Sequence, residues 1–169
     1  PWRPCGLGTG TLARIEGAQP GRTILLRGDI DALSVNEETG LPYASEVPGV
    51  MHACGHDCHI SMLLTAAMIV NEIRDRLKGT IVFAFQPAEE LGLGARAMIE
   101  ESALEGVDAC FGMHVWSDYP AGTVALRKGP MMASGDQFKI HVRGKSTHGA
   151  QPQLGADALI MGAAIAQNL

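Results

Sequence analysis

The chain has 169 residues, of which 46% are hydrophobic and 18% charged, enough apolar material for a folded domain. Its formal net charge of −5 and the lack of any basic run give no surface suited to nucleic acid or to an anionic membrane. The apolar stretches are shorter than the ~20 residues that span a bilayer, so neither a nucleic-acid nor a membrane partner is expected. Four unevenly spaced cysteines do not form a disulfide framework, which favours a cytoplasmic location.

Short β-rich runs alternate with helical patterns, which predicts an α/β fold with a mainly parallel central sheet. Buried strands are predicted at residues 23–28, 80–85 and 108–112, because each is a short, mostly apolar run. Helices are predicted at residues 57–77, where apolar side chains recur at spacings of three and four, and at 94–102. The glycine-rich opening segment is predicted to be an edge strand or a turn.

The apolar pattern changes after a Gly-Pro break in the second half of the chain. Residues 122–126 are predicted to form a further strand, and residues 137–142 alternate apolar and polar side chains. That alternation is typical of a sheet with one solvated face, and a helix is predicted to begin near Gly155. We therefore expect one domain over residues 1–130 and the beginning of a second over residues 131–169.

The densest group of candidate metal ligands is HACGHDCH at residues 52–59, just before the long predicted helix. Imidazole and thiolate side chains two residues apart suit a borderline-soft cation such as Zn²⁺. A structural zinc finger is disfavoured, because no second Cys/His pair follows at finger spacing. Two alternatives stay open: a purely structural segment with Asp57 as the helix N-cap, or a nucleophilic Cys54 beside a histidine.

Each of the three predicted buried strands ends in groups that could hold or serve a cation. Asp29 and Asp31 follow the first strand, Glu89 and Glu90 the second, and His114 the third. The carboxyl ends of neighbouring parallel strands lie side by side, which is where α/β proteins build their sites. A ligand set richer than one tetrahedral ion needs predicts two metals, about 3.5–4 Å apart, that polarise a carbonyl for amide hydrolysis.

The adjacent Glu89 and Glu90 can divide two tasks in such a site. One glutamate would bind metal, and the other would shuttle the proton of a bridging water. The alternative is that both are solvated glutamates at the start of a helix, stabilised by its dipole.

Six segments of the chain resemble, in order, motifs of the M20 metallopeptidase family. They are RGDIDALSVNE, HACGHDCHISMLLTAA, FQPAEE, FGMHVW, GPMMASGDQF and HGAQPQLGADA. The resemblance is to the amidohydrolase branch, which comprises hippurate hydrolase-like, N-acyl-amino-acid and auxin-conjugate hydrolases. It implies a zinc-peptidase-like α/β catalytic domain with an inserted α+β, ferredoxin-like lid that is often used for dimerisation.

The same resemblance implies roles for individual residues. The implied metal ligands are Cys54, His56, Glu90 and His114. Glu89 would be the general acid/base, and His148 of the lid would bind substrate and stabilise the oxyanion. The implied cofactors are two divalent metal ions. The thiolate favours Zn²⁺, and Mn²⁺, Co²⁺ or Ni²⁺ are the alternatives. Family members carry a further ligand histidine, expected beyond Leu169, so these 169 residues alone are expected to hydrolyse little or nothing.

The implied reaction is hydrolysis of an amide bond in small N-acyl amino acids or related conjugates. A metal-bridged hydroxide would attack the acyl carbon while Glu89 moves the proton. The implied assembly is a homodimer or homotetramer formed through the lid. The alternative is a catalytically inactive metal- or ligand-binding fragment or homologue on the same scaffold.

Overall fold

A computed structural model describes residues 1–169, and the chain divides into two units, Pro1–Ala121 and Gly122–Leu169. The first unit contains a five-stranded sheet and two α-helices, and the second contains one α-helix. The predicted boundary between functional domains at residue 131 stays a prediction. None of the helices is both long and apolar enough to cross a membrane.

The central sheet confirms the α/β class and is mixed. Its strands are β1 Trp2–Pro4, β2 Thr11–Glu16, β3 Gln19–Asp29, β4 Lys78–Gln86 and β5 Ala109–Gly112, in the order β1-β2-β4-β3-β5. The three strands predicted as buried, β3, β4 and β5, are parallel to one another, but the prediction of burial is wrong for β5, whose four residues are all exposed. The glycine-rich opening segment, predicted as an edge strand or a turn, forms the turn between β1 and β2. No prediction covered β2, which lies between β1 and β4 and is antiparallel to both.

The two helices of the first unit confirm those predicted. They are α1, His56–Glu72, and α2, Gly94–Glu100. α1 is shorter than predicted, because the chain tightens into a 3₁₀ turn at Arg74–Arg76 before β4. Gly28 lets α1 approach the sheet closely, since a Cβ there would lie 3.3 Å from the carbonyl oxygen of His59.

The core of the first unit is built around β4. Successive side chains of a strand point to opposite faces of the sheet, and Val82, Phe83 and Ala84 are all at least 96% buried. Val82 and Ala84 pack with Met98 of α2 in one cluster. Burial on both faces explains why residues 81–85 of β4 are an uninterrupted apolar run.

The two strands predicted within the residues of the second unit are absent. Residues 122–126 and 137–142 form no strand, and Phe138 is 69% exposed. These two predictions are wrong for this structure. A strand forms when a neighbouring strand completes its hydrogen bonds, and the strand pairing in this unit is a single bridge between Lys145 and Ala156.

The helix predicted near Gly155 is present as α3, Ala158–Gln167. It begins after Asp157, whose Oδ1 accepts hydrogen bonds from the main-chain N–H groups of Leu159 and Ile160. Asp157 is therefore the N-cap that fixes where this helix starts.

Candidate metal centre

The candidate site lies at the carboxyl ends of the three parallel strands. The register places Asp29 of β3 beside Gln86 of β4, and Arg27 of β3 beside Gly112 of β5. The segments that follow these strand ends therefore start from one edge of the sheet, next to the first turn of α1. This is the position at which α/β sheets build their sites.

Five of the six residues predicted for the site come together there. Cys54, His56 and His114 offer ligand atoms within 4.8 Å of one another, and His56, Glu89 and Glu90 form a second such group. Cys54 Sγ lies 3.5 Å from His114 Nε2. His56 Nε2 lies 3.9 Å from both Glu89 Oε2 and Glu90 Oε1. His56 thus belongs to both groups, and the roles of the five residues stay predictions.

His56 is oriented by a main-chain carbonyl. Its Nδ1–H donates to the carbonyl oxygen of Asp31 at 3.0 Å. The opposite ring nitrogen, Nε2, is buried and has no hydrogen-bond partner. A buried acceptor without a partner costs free energy, so this nitrogen fits a cation as its missing partner.

His114 has the same arrangement. Its Nδ1–H donates to the carbonyl oxygen of Val115 at 2.6 Å, so that Nε2 is the ring nitrogen directed at Cys54. Ligand histidines in metal sites are oriented in this way, with one nitrogen held by a protein acceptor and the other free for the metal. The two imidazoles and the thiol therefore fit a divalent cation.

Gly55 makes the turn that presents Cys54 and His56. It is the N-cap of α1 in the left-handed conformation, with φ of 80°. A Cβ at this position would also lie 2.4 Å from Cγ2 of Val115. Asp57 is not the N-cap, as the structural alternative proposed, because the helix begins before it. It lies in the first turn, where its charge favours the helix dipole.

The loop that carries Glu89 and Glu90 is tightly constrained. Ala88 adopts the left-handed conformation with φ of 49°, a strained state for a residue with a Cβ. Gly94, the first residue of α2, presses against this loop, since a Cβ there would lie 1.5 Å from the carbonyl oxygen of Pro87. Backbone contacts therefore restrict the conformation of this turn.

Asp29 is the buried end of a charge network. Its side chain has no solvent exposure, receives a hydrogen bond from His59, and lies 2.7 Å from Nη1 of Arg27. Burial by itself would raise the pKa of Asp29, but the hydrogen bond from His59 and the charge of Arg27 outweigh burial and lower that pKa. Asp29 is accordingly a charged carboxylate: its Oδ1 binds His59, and its Oδ2 pairs with Arg27 but has no hydrogen-bond partner.

The thiol of Cys54 is unsuited to act as a free nucleophile. Burial, followed by the hydrogen bond and negative charge of Glu90, raises the pKa of Cys54 to about 11. Nucleophilic cysteines need a lowered pKa, so the nucleophile alternative finds no support here. A bound cation would favour the thiolate instead.

The sixth predicted residue, His148, belongs to the second unit. Its side chain is exposed, and its Nδ1 accepts a hydrogen bond from the main-chain N–H of Ala150 at 3.1 Å. Its role stays a prediction. Sequence reasoning gave no site role to Arg27 and Gln86, whose only signal is a polar side chain directly after an apolar run near the carboxyl end of a strand.

Comparison with protein families identifies the family of this chain. The family described as "Peptidase family M20/M25/M40" matches residues 25–167. The chain belongs to this family. Among its M20 relatives, N-acetyl-L-cysteine deacetylase of Bacillus subtilis is 51% identical over 158 residues, which cover 94% of this chain and 38% of the relative. N-acyl-L-amino acid amidohydrolase of Geobacillus stearothermophilus is 46% identical over 95% of this chain and 44% of its own length.

Solved M20-like structures share the fold. The YXEP protein of Bacillus subtilis, described as a dinuclear metal binding peptidase from the M20 family, superposes with a TM-score of 0.71 and 51% identity over 73% of this chain and 35% of its own. A putative aminohydrolase of methicillin-resistant Staphylococcus aureus gives a TM-score of 0.83 at 35% identity, over 99% of this chain and 45% of its own. This M20 chain thus spans less than half the length of these relatives.

Proposed function

We propose that the protein is a dinuclear metal-dependent amidohydrolase that cleaves the amide bond of small N-acyl amino acids or related conjugates. The observation that carries the proposal is the convergence of a thiol, two imidazoles and two carboxylates around the unpartnered Nε2 of His56. The names of the relatives, an N-acetyl-L-cysteine deacetylase and an N-acyl-L-amino acid amidohydrolase, support this substrate class.

The proposed metal ligands come from three separate parts of the first unit. They are Cys54, His56, Glu90 and His114. The description of the YXEP protein as dinuclear supports two ions, and the thiolate favours Zn²⁺ over Mn²⁺, Co²⁺ or Ni²⁺. Two divalent cations bound there would supply Lewis acidity, which polarises a carbonyl and makes a water more acidic.

Glu89 is the proposed general acid/base. Its Oε2 lies 3.9 Å from His56 Nε2, and its side chain is 39% exposed, so it borders the ligands and can also reach substrate. In the proposed reaction Glu89 accepts a proton from the attacking water and donates it to the leaving amine nitrogen. His148 is the proposed substrate-binding and oxyanion-stabilising residue, supplied by the lid.

We also propose a cellular location and an oligomeric state for the enzyme. All four cysteines are free thiols, which supports a reducing, cytoplasmic location. The resemblance to the family supports a lid domain that begins at residue 131 and forms a homodimer or homotetramer.

The test is hydrolysis of a panel of N-acetyl, N-benzoyl and N-indoleacetyl amino acids by the intact protein, with and without a chelator. We expect turnover of at least one substrate, its loss after chelation, and its return when Zn²⁺, Mn²⁺, Co²⁺ or Ni²⁺ is added back. Turnover that survives complete metal removal would contradict the proposal and favour Cys54 as a nucleophile. Stoichiometric metal binding without turnover would favour the inactive metal-binding alternative.

The cysteines of the HACGHDCH segment supply a matched control pair. Cys54 belongs to the candidate ligand group, whereas Cys58, four residues later in α1, is exposed and outside it. Cys54→Ala is expected to abolish metal-dependent turnover, and Cys58→Ala is expected to retain it. Equal loss in both variants would show that the effect comes from the segment as a whole.

A further inference from the structure

His59 resembles a metal ligand by residue type, but both of its ring nitrogens are already used. The residue is only 2% exposed, and its Nε2 lies 2.9 Å from the main-chain nitrogen of Val115. The N–H of Val115 donates, so Nε2 accepts and carries no proton. The proton of the neutral ring is therefore on Nδ1, which donates to the carboxylate of Asp29.

The partner of His59 on the sheet side is itself fixed. Asp29 is fully buried and pairs with Nη1 of Arg27 at 2.7 Å. Nε of Arg27 donates in turn to Oε1 of Gln86 at 2.8 Å. A continuous series of polar contacts thus runs from the end of β4 through the end of β3 to His59 on α1. This series holds the ring of His59 in one orientation.

On its other side, His59 is linked to His114 through the main chain of Val115. Val115, whose N–H binds His59, also offers its carbonyl oxygen to Nδ1–H of His114 at 2.6 Å. The rings of His59 and His114 lie edge to face, with centroids 4.6 Å apart. The position of the Val115 backbone therefore determines which nitrogen of His114 faces Cys54.

We propose that His59 is a positioning residue that binds no metal. Through the main chain of Val115 it holds His114 in the Nδ1–H tautomer, with Nε2 directed at Cys54. The inference rests on the proposed function in that His114 is taken as a metal ligand. It also assigns His59, which could hold an ion with Asp29 and His56 by residue type, to hydrogen bonding.

Two substitutions of His59 separate its two hydrogen bonds. In His59→Asn the amide nitrogen can still donate to Asp29, but the side chain is too short to accept from Val115. The longer side chain in His59→Gln can offer an oxygen to Val115 and an N–H to Asp29. Cys58→Ala, a substitution at an exposed thiol on the same helix, is the control.

The first readout is metal binding by the intact protein, measured by competition with a chromophoric chelator. We expect His59→Asn to lower Zn²⁺ affinity about 10- to 100-fold at unchanged stoichiometry, His59→Gln to recover part of the loss, and Cys58→Ala to match the wild type. A lower stoichiometry in His59→Asn would identify His59 as a ligand and overturn the proposal. Unchanged affinity would overturn it as well.

The second readout needs no metal. Nitrogen NMR of the metal-free, histidine-labelled wild-type protein should show the proton of His59 on Nδ1 and that of His114 also on Nδ1. In His59→Asn the His114 signals should report a mixture of tautomers, with faster exchange of the Val115 amide proton. A proton on Nε2 of His59 would overturn the inference. If the wild type bound no metal, the proposed function would fail while these spectra still decided the role of His59.

Discussion

The carboxylate of Asp31 accepts a hydrogen bond from the main-chain N–H of Glu90, with Oδ2 3.0 Å from the nitrogen. The carbonyl oxygen of Asp31 also accepts from Nδ1 of His56 at 3.0 Å. One residue just beyond β3 therefore positions two proposed metal ligands from different parts of the chain. Neither contact is visible in the sequence, where Asp31 and Glu90 are 59 residues apart.

Removal of the Asp31 carboxylate is expected to loosen the site. Asp31→Ala leaves the N–H of Glu90 without its acceptor, and we expect Zn²⁺ affinity to fall about 10- to 100-fold. Asp31→Asn keeps an acceptor oxygen and should lose less. Chelator competition measures both affinities, and identical values for the wild type and Asp31→Ala would contradict the expectation.

Glu89 should be separable from the metal ligands. Glu89→Gln preserves size and hydrogen bonding but removes the basic carboxylate, so kcat is expected to fall about 100- to 10,000-fold while metal content stays close to that of the wild type. Steady-state kinetics and elemental analysis of the same preparation give the two numbers. Wild-type turnover in this variant would remove Glu89 from the mechanism.

The contact between Gly94 and Pro87 is expected to be essential for the turn that carries the glutamates. In Gly94→Ala the added Cβ would meet a backbone carbonyl oxygen 1.5 Å away, so the turn must shift. We expect the free energy of unfolding to fall toward the upper end of about 1–3 kcal/mol, as for overpacked sites. Urea denaturation measures this value. Gly135→Ala, where a Cβ meets nothing within 4 Å, should change stability much less.

The loop before the HACGHDCH segment is expected to respond to acid through Glu37. Its carboxylate accepts hydrogen bonds from the hydroxyl of Thr39 and, at 2.7 Å, from the main-chain N–H of Ser45. Both hydrogen bonds lower the pKa of Glu37, and the bond from Thr39 has the larger effect. Hydrogen bonding that favours the charged form is fully present above the ordinary glutamate pKa and is lost as the pH falls through the lowered pKa.

The Ser45 amide proton provides the measurement for Glu37. Its chemical shift should titrate with the lowered pKa of Glu37, and Glu37→Gln should abolish that titration and increase amide exchange at Ser45. A Ser45 shift that is flat through acidic pH in the wild type would contradict this account of the loop.

The sequence by itself determined the parts of the molecule that depend on local patterns. The apolar runs at 23–28 and 80–85 predicted parallel strands, and the spacing of apolar residues predicted α1. Both patterns are visible in the sequence because the side chains that face the core are apolar. The HACGHDCH segment and the pair of glutamates also identified the candidate ligands, because the ability of a side chain to bind a metal depends on its residue type.

Only the tertiary structure decided which residues of the same type are hydrogen-bonded within the protein and which have a ligand atom without a partner. His56 and His59 lie on one turn of α1, yet Nε2 of His56 has no partner, whereas Nε2 of His59 accepts from Val115, which is 56 residues away. Likewise, residues 137–142 alternate like a strand but form none, because a strand also needs a partner. Hydrogen bonding joins residues distant in sequence, so its outcome appears only when the folded chain brings donor and acceptor together.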